Sequence, residues 1–143
     1  MDIPLPKSNQ KRVVIIGAGF AGINLARKLG PSFQVVLLDK NNYHQFQPLL
    51  YQVATSGLEA SSISFPVRKI FQNKKHVFIR VTEVYAVSPD TRTVRTELGD
   101  IWYDYLVMAQ GAVTNFYGNH RLSKHAYTMK SVSEALLLRN TLL

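Results

Sequence analysis

A strand, a glycine-rich turn and a helix follow one another without interruption near the start of this chain. Four β-branched residues at 13–16 predict a strand that is buried on both faces of a parallel sheet. Three glycines follow at spacings of two and three residues: Gly17, Gly19 and Gly22. A helical pattern then covers residues 20–29, and a second apolar run at 35–38 ends at Asp39. This order restricts the N-terminal part to a βαβ unit.

The three glycines and the acid have separate predicted roles in holding a dinucleotide. Gly17 permits a tight turn, Gly19 lets a pyrophosphate approach the backbone, and Gly22 lets the helix pack closely on the strand. Asp39 lies 22 residues after Gly17, near the spacing expected of an acid that accepts from a ribose hydroxyl. Its charge disfavours a 2′-phosphate and therefore NADP, but it leaves NAD and FAD open. A glycine-rich turn without a ligand is the structural alternative.

Later patterns predict a short helix and a second group of strands. Gly30 is expected to end the first helix as a left-handed cap, with Pro31 just beyond it. Ser64 is expected to cap a short helix over residues 65–71. The further predicted strands lie at residues 77–79, 83–88, 91–97, 101–103 and 105–109. The three strands within 83–103 predict a small antiparallel meander, and the last predicts another buried strand.

Length, cysteine content and charge exclude several classes of protein. The 143 residues suit one domain, and with no cysteine the chain can form no disulfide scaffold, zinc ribbon, iron–sulfur cluster or redox dithiol; no metal site is predicted. No apolar run approaches the roughly 18 residues that a membrane-spanning helix needs. The net charge is +8, and residues 40–82 hold six basic residues and one acid. This excess favours an anionic partner, although a solvated basic face explains it equally simply.

Residues 43–57 form a second notable segment that no simple periodicity explains. The segment is too aromatic and apolar for an ordinary exposed loop, so we expect it to pack on a flat ligand or on another domain. His44 is either a proton carrier or a structural residue. The residues alone leave both interpretations open.

The end of the chain lies within an apolar helical pattern. Ser131 and Glu134 form a capping box, and an apolar face extends from residue 132 to residue 143. No glycine, asparagine or proline ends that helix. We therefore expect the chain to be a fragment of a longer protein in which a missing part packs on this helix.

Together these segments resemble the N-terminal part of type II NADH dehydrogenases, the single-subunit NADH:quinone oxidoreductases. The resemblance is carried by residues 13–22, 39–40, 46–57, 103–112, 115–118 and 130–143. The block at 46–57 is its specific part, because many flavoproteins share the glycine motif. One departure is Gln110, which stands where the wider flavoprotein superfamily usually has threonine.

The resemblance implies a Rossmann-like FAD-binding α/β domain of the two-dinucleotide flavoprotein type, with a parallel sheet, a small antiparallel meander and an incomplete C-terminus. It implies that FAD is bound by Gly17, Gly19, Phe20, Ala21, Gly22, Asp39, Lys40, Gln47, Pro48, Leu49, Val84, Ala109 and Gly111. NADH is the implied substrate, with its site beyond residue 143. Two electrons would pass through flavin to a quinone of the respiratory chain, and no catalytic acid or base is assigned. On this basis residues 1–11 are expected to be a polar leader, residues 12–118 part of the FAD domain, and residues 119–143 a linker and helix leading into an NADH domain.

The resemblance also implies partners and a location. The whole enzyme is expected to be a peripheral protein on the cytoplasmic face of the plasma membrane, with a homodimer as one assembly and no nucleic-acid partner. The chain alone is expected to be soluble and inactive. Because the chain has no cysteine, electrons cannot leave through a dithiol, and a quinone suits this. The alternatives are another FAD/NAD(P)H oxidoreductase of the ferredoxin or nitrite reductase type, or a non-catalytic nucleotide-sensing Rossmann module.

Overall fold

The computed structural model describes residues 2–143, which form two compact units. The first unit contains the described residues up to His44 together with Pro66–Gly111, and the second contains Gln45–Phe65 and Ala112–Leu143. The strands are β1 Lys11–Ile16, β2 Phe33–Asp39, β3 Tyr43–Gln45, β4 Ser64–Pro66, β5 Val77–Val81, β6 Val84–Ser88, β7 Thr93–Thr96, β8 Gly99–Trp102 and β9 Tyr105–Met108. The α-helices are α1 Phe20–Lys28, α2 Leu50–Ala54, α3 Val67–Ile70, α4 His120–His125 and α5 Val132–Leu142. Short 3₁₀ turns cover Gln47–Leu49 and Ala60–Ile63.

A four-stranded parallel sheet is the centre of the first unit. Its strand order is β5-β2-β1-β9, and all three neighbouring pairs are parallel. Strands β6, β7 and β8 form an antiparallel meander, and β3 pairs with β4. The predicted fold class, a parallel sheet with a small antiparallel meander, is confirmed.

Both faces of β1 and β2 are buried, as their continuous apolar runs predict. Alternate residues of a strand point to opposite faces, so each run supplies two cores. One core lies on the side of α1 and α3 and contains Val13, Ile15, Ala18, Ile23, Ala26, Val35, Leu37, Val67, Phe71 and Ile79. The other lies on the side of the meander and contains Ile3, Val14, Ile16, Val36, Leu38, Val94, Ile101 and Tyr103. The first unit therefore has three layers, with the sheet in the middle.

The beginning of the chain packs on this sheet. Ile3, inside the predicted polar leader, is buried and donates its backbone N–H to the carbonyl of Asp100 at 3.0 Å. The Asp104 carboxylate accepts from the backbone N–H of Arg12 and pairs with the ammonium of Lys11 at 2.9 Å. Both contacts lower the pKa of Asp104, and the hydrogen bond from the Arg12 backbone has the larger effect. An acid thus holds the start of β1 beside the start of β9.

Three of the predicted local features are wrong. The strand predicted to be buried at residues 105–109 is only partly so, since Tyr105 and Met108 of β9 are exposed. Gly30 is not a left-handed cap: α1 ends at Lys28, its C-cap Leu29 is extended, and Gly30 is absent from the glycines with positive φ. Side chains from further along the chain reach the last turn instead, since Lys74 contacts the Arg27 carbonyl at 2.6 Å and His76 contacts that of Leu29 at 3.0 Å. These contacts satisfy carbonyls that a left-handed glycine cap otherwise serves.

The predicted helix over residues 65–71 is shorter than expected. Ser64 lies in β4, and its hydroxyl donates to the Ala60 carbonyl rather than capping a helix. Helix α3 begins only at Val67, with Pro66 as its N-cap. The Val67 N–H donates to the carbonyl of Asn42 at 3.0 Å, a bond to a distant part of the chain that the local pattern does not show.

The second unit contains α2, α4 and α5, with α2 packed on α5. The predicted capping box at the start of α5 is confirmed by reciprocal bonds between Ser131 and Glu134. Glu134 also accepts from the Thr128 hydroxyl at 2.7 Å, and this bond is the largest cause of the lowered pKa of Glu134. The Gln45 side chain donates to the Lys130 carbonyl at 2.9 Å and accepts from the Val132 N–H at 3.0 Å, so it joins two segments distant in sequence.

Candidate functional site

The carboxyl ends of the four parallel strands gather most of the predicted site residues of the first unit. The Gly17 N–H donates to the Leu38 carbonyl at 2.7 Å, which places the glycine turn after β1 against the end of β2. Asp39 is the last residue of β2, and its carbonyl accepts from the Thr82 N–H at 2.9 Å just after β5. Ala109 directly follows β9. Ligands of open α/β sheets bind at this edge.

The structure gives the three motif glycines different surroundings. Gly17 has φ +103°, and a Cβ there would lie 2.4 Å from the carbonyl oxygen of Ala109. A Cβ on Gly22 would lie 1.9 Å from the carbonyl oxygen of Gly17. Among residues 2–143, a Cβ on Gly19 would meet nothing within 4 Å apart from its two chain neighbours. The close packing of the turn therefore leaves no room for a side chain at Gly17 or Gly22, whereas Gly19 borders open space.

The N-terminus of α1 faces the open space next to Gly19. Gly19 is the N-cap, and no side chain of the described residues caps the helix there. Gly19, Phe20 and Ala21 are exposed, whereas Gly22 is buried. The helix has nine residues and no acid in its first turn. Its backbone N–H groups and positive dipole end favour an anionic ligand.

Both carboxylate oxygens of Asp39 accept from backbone N–H groups. Oδ2 accepts from Ala18 at 2.6 Å and Oδ1 accepts from Asn41 at 2.7 Å. The side chain is partly exposed, and each oxygen has a second lone pair for another donor. Lys40, the next predicted site residue, is exposed. Asp39 is therefore bound to the glycine turn and still has capacity to accept from hydroxyl groups.

His44 approaches the same turn. Its Nδ1 lies 3.0 Å from the Ala18 carbonyl oxygen, and its ring meets that of Phe20 edge-on, with centroids 5.1 Å apart. Of the two interpretations that the sequence leaves open, this contact supports a structural one. The spacing rules for dinucleotide motifs name neither His44 nor Ala18. The only sequence signal for the contact between His44 and Ala18 is that a polar residue, His44, closely follows β2, the strand that ends at Asp39.

The remaining predicted site residues are divided between the two units. Val84 begins β6 and is half-buried, and Gly111 lies just beyond β9 with φ +73°. Gln47, Pro48 and Leu49 form a 3₁₀ turn of the second unit, where the Gln47 side chain approaches the Lys130 carbonyl at 3.5 Å. The structure thus brings the glycine turn, Asp39, Val84 and the 109–111 turn into one unit, with the 47–49 turn in the other. Gln110 is exposed.

Comparisons with known proteins identify relatives of this chain. A type II NADH:quinone oxidoreductase of Mycobacterium tuberculosis, NdhA, is 38% identical over 98% of this chain and 31% of its own length. An external alternative NAD(P)H-ubiquinone oxidoreductase of potato, Solanum tuberosum, is 31% identical over 96% of this chain and 26% of its own length. The chain therefore spans about a third or less of the curated relatives that it matches.

Solved structures show the same fold. NDH2 of Plasmodium falciparum superposes with a TM-score of 0.83 at 25% identity, over 92% of this chain and 28% of that chain. The sulfide:quinone oxidoreductase of Aquifex aeolicus superposes with a TM-score of 0.83 at 29% identity, over 92% of this chain and 31% of that chain. The predicted resemblance to type II NADH dehydrogenases is confirmed by these relatives. The pattern of the pyridine nucleotide-disulphide oxidoreductases matches residues 11–142, and the chain belongs to this family.

Proposed function

We propose that this chain is the part of an FAD-dependent NADH:quinone oxidoreductase that holds the ADP half of FAD. The observation that carries the proposal is the open space at Gly19, beside an uncapped helix N-terminus and a partly exposed Asp39 at the carboxyl edge of the sheet. The curated relatives named as NADH:quinone oxidoreductases support the activity. Because the chain spans about a third of their length, the activity is proposed for a protein that contains this segment.

The residues of the first unit suit an ADP moiety. Gly19 leaves room for a pyrophosphate, and the first backbone N–H groups of α1 supply donors for its oxygens. The free lone pairs of Asp39 suit the ribose hydroxyls, with exposed Lys40 beside them. Val84 is assigned to the adenosine end, because it follows the strand next to β2.

The other residues proposed to bind FAD are assigned through the family resemblance. Ala109 and Gly111 follow β9, the neighbour of β1 on the side away from β2. Gln47, Pro48 and Leu49 are assigned by the resemblance. The chemistry supplied by bound FAD is acceptance of a hydride from NADH and delivery of two electrons to a quinone. The role of this chain is to bind and orient that group, and no proton donor or acceptor is assigned among the described residues.

Replacement of Asp39 tests the proposed ribose contact. We expect Asp39→Ala to weaken FAD binding by about 1.5–3 kcal/mol, the range for a hydrogen bond to a charged group. Asp39→Asn keeps one acceptor oxygen and should lose less. The measurement is a fluorescence titration with FAD of a flavin-free protein that has the length of the relatives and contains this segment, and Asp90→Ala in an exposed turn is the matched control. Unchanged affinity of Asp39→Ala would remove Asp39 from the site.

The alternative functions predict turnover with different electron acceptors, or DNA binding without flavin, when the same purified protein is assayed. For a protein of the length of the relatives, oxidation of NADH with a soluble quinone supports the proposal, whereas turnover only with ferredoxin or nitrite supports the other oxidoreductases. Turnover with sulfide as the electron donor would instead favour the function of a sulfide:quinone oxidoreductase. A nucleotide-sensing module would show salt-dependent DNA binding without a flavin spectrum.

The domain boundaries of the whole protein are also proposed. Residues 12–118 are assigned to the FAD domain and residues 119–143 to a linker and helix that lead into an NADH domain. The C-terminal helix and its capping box suit this connecting position. The expected homodimer rests on the family resemblance alone, and light scattering of the whole protein measures it.

We further propose that the whole protein is a peripheral membrane enzyme of the respiratory chain on the cytoplasmic face. Among the described residues, none of the helices is long and apolar enough to cross a bilayer. The support is the basic segment of the first unit, where Arg68, Lys69 and Lys75 are exposed. Lys74 donates to the Arg27 carbonyl, which draws this segment towards the basic last turn of α1. Anionic lipid headgroups suit such a surface.

Charge reversal tests this surface. We expect Lys69→Glu with Lys75→Glu to weaken binding to vesicles containing phosphatidylserine at least about tenfold, since each basic residue near a membrane contributes about 1 kcal/mol. Arg121→Glu with Lys124→Glu changes the net charge equally on exposed α4 and is the control. Co-sedimentation at low and physiological salt measures the binding. Equal loss in both variants would indicate a general charge effect instead of docking by this surface.

A further inference from the structure

The backbone of Ala18 is held from two sides by side chains that follow β2. Ala18 lies between Gly17 and Gly19 and is only 3% exposed. Its N–H donates to Asp39 Oδ2 at 2.6 Å, and its carbonyl oxygen lies 3.0 Å from His44 Nδ1. Both peptide planes that flank Ala18 are therefore fixed by side chains.

The direction of the Gly19 N–H follows from the second contact. The Ala18 carbonyl and the Gly19 N–H belong to one peptide plane, and in a trans peptide these two groups point in opposite directions. No cis peptide bond occurs among the described residues. Because His44 holds the carbonyl, the Gly19 N–H points away from His44. The residue that carries this donor is exposed and has open space around its Cα.

We propose that His44 is a positioning residue that orients the Gly19 N–H as a donor to a phosphate oxygen of the bound dinucleotide. The proposal rests on the proposed function, because the phosphate belongs to FAD. A carbonyl oxygen can only accept, so Nδ1 is the donor and carries the proton. The hydrogen bond also polarises the peptide, and this strengthens the Gly19 N–H as a donor.

A second contact holds the imidazole ring itself. The edge-on approach to Phe20 is at an interplanar angle of 82°, a favoured arrangement of aromatic rings. Phe20 is the first residue of α1, so the ring lies between the turn and the helix start. A residue that only filled this space would need the ring but not the Nδ1 donor. This difference separates a positioning role from a packing role.

Two substitutions of His44 separate the donor from the ring. His44→Asn places an amide nitrogen near the position of Nδ1, whereas His44→Phe keeps a ring and removes the donor. We expect His44→Phe to weaken FAD binding about three- to tenfold, the effect of one hydrogen bond, and His44→Asn to restore binding to within twofold. The control is His76→Phe, which removes a similar imidazole contact to the Leu29 carbonyl at the far end of α1. It should leave FAD affinity unchanged.

The test uses a protein of the length of the relatives that contains this segment, and it has two readouts. FAD affinity is measured by fluorescence titration, and the Gly19 amide resonance is recorded by NMR without FAD. We expect the amide to shift in His44→Phe and to stay near its original position in His44→Asn and His76→Phe. The ¹⁵N resonances of His44 should show a protonated Nδ1.

The readouts distinguish failure of this inference from failure of the proposed function. An unmoved Gly19 amide in His44→Phe, or FAD affinity equal to that of the unchanged chain, overturns the positioning role. Loss of affinity in His44→Asn with affinity kept in His44→Phe also overturns it, since the ring and not the donor would then matter. If a protein of the length of the relatives that contains this segment binds no FAD, the proposed function is contradicted, whereas a shifted Gly19 amide still supports the contact between His44 and the turn.

Discussion

Gly22→Ala is expected to destabilise the first unit strongly. The added Cβ would lie 1.9 Å from the Gly17 carbonyl oxygen and 3.3 Å from Cγ2 of Ile15. Neither backbone nor buried strand can move aside cheaply, so α1 must shift away from the sheet and loosen the core beneath it. We expect a loss of about 3 kcal/mol in the free energy of unfolding, the upper end of the usual range for overpacking.

Gly30→Ala is the matched control for this change. A Cβ there meets nothing within 4 Å, and Gly30 is absent from the glycines with positive φ. Reduced freedom of the unfolded chain should therefore stabilise the protein by about 0.4–1 kcal/mol. Urea denaturation followed by circular dichroism measures both variants. Gly22→Ala with the stability of the unchanged chain would show that the close approach of α1 to the turn is not what holds this layer.

Gly19→Ala is expected to have the opposite pattern, with folding retained and binding lost. Apart from the two chain neighbours of Gly19, no described residue lies within 4 Å of the added methyl group, so the free energy of unfolding should change little. A pyrophosphate that lies against this backbone would collide with the methyl group. We expect FAD affinity to fall about ten- to hundredfold, which corresponds to overpacking by about 1–3 kcal/mol.

The binding and stability measurements on the same variant make this prediction specific. Gly30→Ala again serves as the control, because it adds the same methyl group at the other end of α1. It should bind FAD as the unchanged chain does. Full FAD affinity in a folded Gly19→Ala variant would mean that the dinucleotide does not lie against this turn, and the assignment of the glycine motif would fall.

The elements that were predicted correctly are those whose signal is local. The runs at 13–16 and 35–38 are β-branched or apolar at every position, which suits strands buried on both faces, and both are central strands of the sheet. The capping box of α5 needs only residues three apart. Among the site residues, the separate demands on Gly17 and Gly22 also followed from the motif, because the turn and the helix that create them are adjacent in sequence.

The incorrect predictions concern positions where distant residues replace a local partner. Gly30 is an ordinary signal for a helix end, yet Lys74 and His76 occupy the carbonyls that it was expected to serve. The helix expected from Ser64 is shortened because the chain at 64–66 forms a strand. A local pattern contains no information on contacts made by residues more than 40 positions away.

The sequence by itself determined the βαβ order, the glycine turn, the position of Asp39 and the family, because each depends on residues that are neighbours along the chain. Only the tertiary structure decided that Asp39 and His44 share one residue of the turn, Ala18, and that the Gly19 N–H therefore has a defined direction. It also decided that Gln45 joins the start of α5. The reason is that a hydrogen bond between groups 20 to 90 residues apart depends on where the sheet and helices bring them, and no spacing rule contains that distance.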